Sequence, residues 1–494
     1  MEYVMGIDLG TSSVKAILMD RQGRTAAVAQ KEYKVETPKT GYAQQRPQKW
    51  WQQTKLAILE VMERGKVMAC QVKGIGFSGQ MHGLVILDKE KNVLMPAVIW
   101  MDQRTRQEQE KILQIVKEER LESQLMNRPM AGMMICSLLW VKEHRPEIYE
   151  KAAHVMLPKD YIRFCLGGTI ETDETDAGGS IAFSVRDRQW CTSLLKRLEI
   201  SEALFPPVAK PYEIVGTVTK KAEEETGLLK GTLLVAGGAD SAMQLTGNGV
   251  ASEGTLCVNI GTASQILTVM SKPCYDEKLR TQTLCHSAPD LWYGQCGSLN
   301  GGNTLSWLRN NVLKTTDNYQ KLDKEAGMVL AGSEGLFFLP YLAGERVPYE
   351  NPDARGMFFG LSMRHERAHI VRSVMEGVAL NLRMCLDVFK EAGIQADWQS
   401  ILASGGGAKG ETWRQIQADV FGLPVYETEG EEEACAGAAM MASVGLGWYS
   451  SVEEAAKAIV KRKPEPTEPV WEHRTVYEET LARFRFLTRT CQNS

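Results

Sequence analysis

Residues 6–13 read Gly-Ile-Asp-Leu-Gly-Thr-Ser-Ser, and residues 258–264 read Val-Asn-Ile-Gly-Thr-Ala-Ser. Each run joins an apolar strand to a return strand through a short Gly-Thr turn, so each predicts a β-hairpin. Two similar segments half a chain apart indicate two related halves. We place the boundary near residue 248, which divides the 494 residues into domains 1–248 and 249–494.

The composition excludes several classes of protein. Hydrophobic residues make up 44% of the chain, charged residues 24%, and the formal net charge is −4. No basic cluster suggests a nucleic-acid partner, and no apolar run is long enough for a membrane span. The first residues lack the pattern of a secretory signal. The 11 cysteines include no Cys-x-x-Cys pair, so we expect reduced thiols in a cytoplasmic protein rather than disulfides or a zinc site.

Apolar periodicity predicts strands that alternate with helices, which is typical of an α/β protein. The chain is expected to open with a three-stranded meander, followed by a helix and a buried strand. The main predicted elements are strands Tyr3–Leu9, Val14–Met19, Thr25–Val35, Val72–Phe77, Gly254–Ile260 and Leu336–Tyr341, and helices Pro47–Arg64, Ser298–Val312, Ile370–Lys390, Ala434–Leu446 and Val476–Thr490.

The two Gly-Thr turns are candidate phosphate sites because they offer backbone N–H groups and hydroxyls without bulky side chains. One such turn, Gly10–Ser13, would more often be only a turn. The second, with Gly261 and Thr262, suggests that phosphates are bound from both halves. The glycine run Gly405–Gly410 follows a strand, where flat backbone can lie against adenosine, although a plain strand-to-helix turn is an equal alternative.

Two carboxylates stand at predicted strand ends. Asp8 lies just before the first Gly-Thr turn, where it can hold Mg²⁺ beside phosphates, and the alternative is a solvated strand-end residue. Asp240 follows an apolar strand and two glycines. A phosphoryl acceptor hydroxyl must lose a proton, and Asp240 is the candidate general base.

A Gln-Met-His run at residues 80–82, bounded by glycines, suits a loop that lines a polyol pocket. Alone, His82 would more often be an ordinary loop histidine. The preceding Gly74–Gly79 segment matches Gly-x-Gly-x-x-Gly, but it lies along a strand rather than between a strand and a helix. We therefore reject a dinucleotide-binding interpretation.

Over nearly its whole length the chain resembles carbohydrate kinases of the FGGY family, and among these the xylulokinases. The Gly-Glu-Arg-Val-Pro run at residues 344–348 is especially typical of the family. The other matching segments are Gly6–Lys15, Gly79–Gly83, Trp100–Asp102, Leu157–Tyr161, Val235–Asp240, Gly261–Thr262, Phe338–Leu361 and Gly405–Lys409.

The resemblance implies two actin-like domains of the RNase H type (ASKHA) with a central cleft that closes on Mg²⁺ and ATP. It implies phosphorylation of a ketopentose, with D-xylulose giving D-xylulose 5-phosphate. Asp240 would be the general base, and Asp8 and Asp240 would hold the metal. The nucleotide residues would be Gly10, Thr11, Ser12, Ser13, Lys15, Gly261, Thr262, Gly302, Ser306, Gly405, Gly406 and Gly410. The sugar residues would be Gln80, Met81, His82, Trp100, Asp102, Asp240 and Ser241.

Two features depart from the family pattern. Xylulokinases usually carry Asn after the catalytic Asp, and here that position is Ser241, which has less reach toward a ketose. The run Glu427–Glu433 is unusually acidic, and we interpret it as a solvated helix N-terminus favoured by the helix dipole.

Two alternatives stay open at this point. The first is a kinase of the same family that acts on ribulose, gluconate or a related polyol. The second is a non-catalytic actin-like ATPase, either a repressor or a chaperone. A repressor would need a DNA-binding module before the first hairpin, and a chaperone a β-rich domain after residue 450, and neither is evident. The oligomeric state, for which a homodimer is one option, is left open.

Overall fold

A computed structural model describes residues 1–394, 397–430 and 432–492. Its strands are β1 Tyr3–Leu9, β2 Ser13–Asp20, β3 Thr25–Glu32, β4 Gln44–Gln45, β5 Val72–Gly79, β6 Val85–Leu87, β7 Ala97–Val98, β8 His154–Met156, β9 Thr172–Asp173, β10 Phe183–Ser184, β11 Gln189–Trp190, β12 Val208–Ala209, β13 Ile214–Thr217, β14 Leu233–Val235, β15 Gly238–Ala239, β16 Thr255–Ile260, β17 Ser264–Met270, β18 Gln282–Cys285, β19 Trp292–Ser298, β20 Phe337–Leu339, β21 Met357–Phe359, β22 Ser400–Ser404 and β23 Val425–Tyr426.

The α-helices are α1 Pro47–Gly65, α2 Arg106–Glu118, α3 Glu122–Leu125, α4 Met134–His144, α5 Pro146–Tyr149, α6 Pro158–Gly167, α7 Glu174–Gly178, α8 Thr192–Arg197, α9 Lys220–Thr226, α10 Asp240–Gly247, α11 Gly302–Trp307, α12 Tyr319–Gly327, α13 Arg367–Glu391, α14 Glu411–Phe421, α15 Glu433–Gly445, α16 Val452–Ile459 and α17 Trp471–Gln492. Short 3₁₀ turns occur at Ala69–Gln71, Glu202–Leu204, Ser333–Gly335 and Gly406–Ala408, and a π-helical turn at Leu308–Val312. In the described part of the chain, no helix is both long and apolar enough to cross a bilayer.

The chain divides into two compact units, and neither is continuous in sequence. The first contains residues 1–251, 284–292 and 430–461, and the second contains residues 252–283, 293–429 and 462–494. The first unit therefore includes α15 and α16 from the late part of the chain. The division of the sequence into 1–248 and 249–494 stays a prediction.

The first unit is built on a sheet of strand order β13-β14-β5-β1-β2-β3, with β15 pairing β5 at its end. β1 is antiparallel to β2 and parallel to β5, and β5 is parallel to β14 and β15. The Gly74–Gly79 segment lies within β5, so the rejection of a dinucleotide-binding turn there is confirmed. The carboxyl ends of β1, β5 and β15 meet at one edge of this sheet.

The second unit repeats the arrangement in its sheet of order β18-β19-β17-β16-β22-β23. β16 is antiparallel to β17 and parallel to β22, as β1 is to β2 and β5. The two predicted hairpins are therefore confirmed, and each opens a sheet with the same pairing of its central strand.

Most predicted elements differ from the observed ones only at their ends. The helix predicted from Ser298 begins at Gly302 because Gly301 comes too close to the second hairpin turn: a Cβ there would lie 2.4 Å from the carbonyl carbon of Ala263. α1 begins with Pro47, whose missing N–H is not needed in a first turn, and ends at Lys66 in the left-handed conformation.

Candidate active site

The carboxyl ends of three parallel strands bring the two predicted carboxylates to one edge of the first unit. In the register of β1 and β5, Asp8 lies opposite Ser78, and in the register of β15 and β5, Gly238 lies opposite the same Ser78. Asp240 follows β15 directly and begins α10. The predicted projection of Asp240 at a strand edge thus agrees with the sheet register, and Asp8 lies two strands away on the same edge.

Asp8 is partly buried and accepts a hydrogen bond of 2.7 Å from the Ser78 hydroxyl. Burial raises the pKa of its carboxyl group, and the negative charge of Glu432 adds to this effect. The bond from Ser78 and the positive charge of Lys15 act in the opposite direction. The net effect favours the neutral acid more than in an exposed aspartate.

Asp240 is also partly buried. Its Oδ1 accepts a bond of 2.7 Å from the backbone N–H of Ser241. Burial and then the charge of Asp8 raise the pKa of Asp240 to about 7. No described basic side chain forms an ion pair with this carboxylate. A carboxyl group that exchanges its proton near neutral pH is suited to general-base chemistry.

The first hairpin turn is closed by a bond of 3.0 Å from the Gly10 N–H to the Ser13 carbonyl. Thr11 and Ser12 lie at its tip. Lys15 is paired with Asp8 across β1 and β2. Its Nζ lies 2.7 Å from Glu432 at the start of α15. Burial lowers the pKa of Lys15, but the hydrogen bond to Glu432 and the charges of Glu432 and Asp8 together raise it above its ordinary value, so the ammonium stays charged beside the turn.

The predicted sugar loop follows β5. His82 adopts a positive φ of 74°, and its Nδ1 lies 2.7 Å from the Gly179 carbonyl. Met81 Sδ lies 3.1 Å from the Ser241 hydroxyl, which brings the loop to the residue after Asp240. Positive φ in a histidine is uncommon and is found at functional sites.

Other predicted sugar residues are occupied by contacts within the fold. Gln80 is buried and donates to Gln45 Oε1 at 3.0 Å. Asp102 is fully buried, accepts from the Ala43 N–H at 2.6 Å and forms an ion pair of 2.7 Å with Arg104. The Asp102 carboxylate therefore stabilises the loop that carries it. These contacts do not indicate a direct bond from the carboxylate to a sugar. Trp100 is 41% exposed and donates its indole N–H to Thr11 Oγ1 at 3.0 Å.

The predicted nucleotide residues of the second unit cluster where β16 and β22 end. Asn259 and Ser404 are paired in register, so Gly261 and Gly405 follow side by side. The Gly302 N–H donates to the Gly261 carbonyl at 2.6 Å. Gly405 has a φ of +75°, and a Cβ there would lie 2.7 Å from the Ile260 carbonyl oxygen, so this position requires glycine.

The other predicted residues of this unit lie nearby in sequence. The Asn303 N–H bonds the Thr262 carbonyl at 3.1 Å, and Ser306 Oγ accepts from Asn310 at 3.3 Å. Gly406 is exposed, and a Cβ there would make an ordinary contact of 3.8 Å with the Ile260 carbonyl oxygen. Gly410 precedes α14 and lies against Asp323. Exposed glycine backbone at parallel strand ends can accept a flat ligand, which fits a nucleotide.

The donor set at the edge of the first unit fits a magnesium ion. Asp8 and Asp240 offer hard carboxylate oxygens, and the charge of Asp8 raises the pKa of Asp240. A divalent cation would neutralise this repulsion. The turn beside them supplies N–H groups and the Lys15 ammonium, which fits phosphate oxygens.

Sequence reasoning missed the partners of these residues. Glu427–Glu433 was interpreted as a solvated segment, and this is wrong for three of its members. Glu427 forms ion pairs with Arg414 and Lys463, Glu432 pairs with Lys15, and Glu433 accepts from Gln244. The Tyr33 hydroxyl, which donates to the Gly10 carbonyl, was also missed. No local pattern marks these contacts, because they join residues far apart in the chain.

Comparison with known proteins assigns the family. The FGGY family of carbohydrate kinases matches with its N-terminal domain over residues 3–247 and with its C-terminal domain over residues 256–446. A xylulose kinase of Bacillus subtilis (strain 168) is 36% identical, covering 93% of this chain and 92% of its own. A gluconokinase of the same organism is 31% identical, covering 91% and 89%.

A solved structure of a "xyloylose kinase" from Brucella ovis superposes with a TM-score of 0.91 at 27% identity, covering 99% of both chains. The repeated sheet arrangement of the two units is that of the actin-like sugar kinases. The chain belongs to the FGGY family of carbohydrate kinases, and it is a sugar kinase with the two-domain fold of that family.

Proposed function

We propose that this kinase transfers a phosphoryl group from ATP to D-xylulose, giving D-xylulose 5-phosphate. The observation that carries the proposal is Asp240: it stands beside Asp8 at the edge of the sheet and has a pKa of about 7. The relatives named xylulose kinase favour this sugar. The gluconokinase relative favours gluconate as the second candidate.

In this proposal, Asp240 accepts the proton of the attacking hydroxyl. Ser241 N–H orients the carboxylate, and a pKa near 7 leaves a large share of the enzyme with an ionised base at neutral pH. Asp8 and Asp240 would hold Mg²⁺, which when bound offsets the negative charge of the phosphates. A location in the cytoplasm belongs to the same proposal.

Phosphate and nucleotide contacts are assigned as predicted. The first turn, Gly10, Thr11, Ser12 and Ser13, would bind phosphate oxygens together with Lys15, and Gly261 and Thr262 would do so from the second unit. Gly302, Ser306, Gly405, Gly406 and Gly410 would lie at the nucleotide. The exposed glycine backbone at the ends of β16 and β22 supports this assignment.

The test is ADP release from the purified chain with ATP and Mg²⁺ and a panel of D-xylulose, ribulose, gluconate and glycerol. We expect the highest kcat/KM with D-xylulose and a low rate without sugar. A higher kcat/KM with gluconate or ribulose would replace the named substrate and leave the kinase reaction intact.

The base is tested separately with Asp240→Ala. We expect turnover to fall by roughly 10²- to 10⁴-fold, because the proposed general base is removed. ATP binding, followed by calorimetry, should persist because the turn residues are unchanged. Near-normal turnover in this variant would refute the assignment of Asp240.

A further inference from the structure

A line of buried polar groups lies behind the turn that carries Asp240. The N–H of Ala239, the residue before Asp240, donates to Thr175 Oγ1 at 2.9 Å. Thr175 Oγ1 also bonds Asp173 Oδ1. Because a backbone N–H can only donate, the threonine oxygen accepts there and its single hydrogen goes to the carboxylate. The direction of both bonds is therefore fixed.

The carboxylate of Asp173 is itself held from the other side. Its Oδ2 lies 2.6 Å from Lys159 Nζ, and Lys159 also forms an ion pair of 2.6 Å with Asp160. All three side chains, and that of Thr175, are 0% exposed. Removing such charges from water is costly, so they are retained only in well-formed geometry. The hydroxyl of Thr175 thus has a firmly placed acceptor.

The same buried group also holds the start of the turn. Arg163 pairs with Asp160 at 2.9 Å and donates to the Ala236 carbonyl at 2.7 Å. Ala236 and Ala239 flank the two glycines before the base. A Cβ at Gly238 would lie 2.7 Å from Thr175 Oγ1, so backbone and hydroxyl are in close contact. The peptide that sets the direction of Asp240 is therefore fixed at both ends.

The helix that carries Thr175 reaches the sugar loop at its other end. α7 spans Glu174–Gly178, and the carbonyl of the next residue, Gly179, lies 2.7 Å from His82 Nδ1. A carbonyl oxygen only accepts, so Nδ1 carries the hydrogen. One short element therefore bonds both the turn before Asp240 and the histidine of the sugar loop.

We propose that Thr175 is a positioning residue for the phosphoryl-transfer step, and that it acts through the Ala239 peptide to hold the Asp240 carboxylate toward the sugar hydroxyl. This inference rests on the proposed function of Asp240. It assigns the buried Lys159–Asp173–Thr175 line a role in catalytic geometry rather than in contact with a ligand.

Thr175→Val tests the role, because valine keeps the shape and removes the hydroxyl. We expect kcat to fall by about 10- to 100-fold, the loss typical of an unpaired buried N–H and a misplaced base, with the KM for ATP unchanged. Thr175→Ser should restore kcat to within about threefold, since the hydroxyl returns. If Thr175→Val fails to fold, Thr175→Ala serves as the second variant, and a wild-type kcat in it would overturn the proposal.

Two controls separate positioning from general stability. Thr226 is equally buried, donates to the Ala222 carbonyl at 2.6 Å and accepts from the Leu228 N–H at 3.3 Å. Thr226→Val should therefore lower stability and leave kcat unchanged. In an Asp240→Asn background, Thr175→Val should cause no further loss of the residual rate, because residues that act as a unit are not additive.

The outcomes distinguish the two proposals. Full activity of Asp240→Asn would contradict the proposed general base, and the positioning role of Thr175 would fall with it. An inactive Asp240→Asn together with unchanged kcat in folded Thr175→Val overturns the positioning role alone. If Thr175→Val lowers kcat by the same factor in the Asp240→Asn background as in the wild type, the positioning role is also overturned, because Thr175 would then act independently of Asp240.

Discussion

At Asp240, burial and the nearby charge of Asp8 raise the pKa of the carboxyl group to about 7. An unfolded aspartate has a pKa near 3.9. The folded state therefore binds a proton more tightly than the unfolded state, and its stability falls as pH rises from about 4 through 7. The same shift supplies a base that is ready near neutral pH. Ionised Asp240 thus opposes folding and supports the proposed reaction.

The first prediction concerns pH. Below about 7 the Asp240 carboxyl is protonated and cannot accept the hydroxyl proton, so kcat/KM for the sugar should fall about tenfold per pH unit on the acid side. Steady-state rates between pH 5.5 and 9 measure this limb. An acid limb centred near pH 4 would contradict the assignment.

A matched stability measurement uses Asp240→Asn. The neutral amide removes the repulsion from Asp8, so the variant should lose activity and have a higher Tm than the wild type at pH 8. At pH 5, where Asp240 is protonated, the two Tm values should converge. A lower Tm of the variant at both pH values would contradict this account of the charge.

The second prediction concerns sugar recognition. His82 lies in a loop that touches Ser241 through Met81. Because its Nδ1 donates to the Gly179 carbonyl, the neutral ring presents Nε2 as an acceptor to a hydroxyl of a small sugar. His82→Ala should lower kcat/KM for D-xylulose by roughly 10- to 100-fold and leave the KM for ATP nearly unchanged. Equal effects on both substrates would indicate general damage to the fold.

Ser241 provides the matched variant for the same pocket. If the shorter hydroxyl fails to reach the sugar, Ser241→Asn should raise kcat/KM for D-xylulose. If the pocket is built for another sugar, the asparagine should lower activity on the best substrate of the panel.

At the scale of single residues, the location of a side chain can be predicted when it directly follows a strand. It is harder to predict when it depends on contacts with residues far away in the chain. Asp8 and Asp240 were each predicted at a strand end, and the strand register brings both to one edge of the sheet. The place of Asp102 at the sugar stays a prediction, and its contacts with Arg104 and Ala43 could not be read from the sequence. The ion pair between Lys15 and Glu432 was also not predicted, because hydrophobic periodicity does not show which residues far apart in the chain come into contact.

Among the elements, α15 shows how a helix rich in Ala and Gly packs closely against its neighbours. Within the first unit, α15 packs against β1, β5 and α10, and its backbone lies close to theirs. A Cβ at Gly6 would lie 2.0 Å from the Cys435 carbonyl oxygen, and one at Gly76 would lie 1.9 Å from that of Ala438. The contact therefore requires glycine on the strands as well as small residues on the helix.

The third prediction tests this contact. Gly76→Ala forces the added methyl into helix backbone that cannot move aside, so we expect a loss of about 1–3 kcal/mol, seen as a fall in Tm of about 2–12 °C. Gly430→Ala is the control, since nothing lies within 4 Å of a Cβ there. Equal Tm values for the two variants would contradict close packing of α15.

The positions of helices and strands were predicted from local sequence signals. The predicted ends were wrong where tertiary packing determines where an element begins or ends. The hairpin β16–β17 follows from its alternation of apolar residues and its Gly-Thr turn. The helix predicted from Ser298 begins at Gly302, because the chain at Gly301 must pass the second turn closely. The late segment Gly430–Lys461 packs in the first unit, which no local pattern indicates.

For the whole molecule, the predicted site residues are shared between the two units. The residues proposed for the sugar and the base, such as His82 and Asp240, belong to the first unit. Those proposed for the nucleotide belong partly to the first unit, which holds Gly10–Lys15, and partly to the second, which holds Gly302 and Gly405. Phosphoryl transfer requires donor and acceptor atoms to approach closely in line. Binding of both ligands should therefore bring groups of the two units to the same reacting atoms.

The last prediction is that the molecule becomes more compact when sugar and nucleotide are both bound. The proposed sugar residues all belong to the first unit, so the radius of gyration from small-angle X-ray scattering should change little with D-xylulose alone. With both at saturation it should fall, since closure excludes water from the transfer step. His82→Ala at the same sugar concentration is the control, because weakened sugar binding should abolish the compaction. An unchanged radius of gyration for the wild type with both ligands would show that transfer needs no closure.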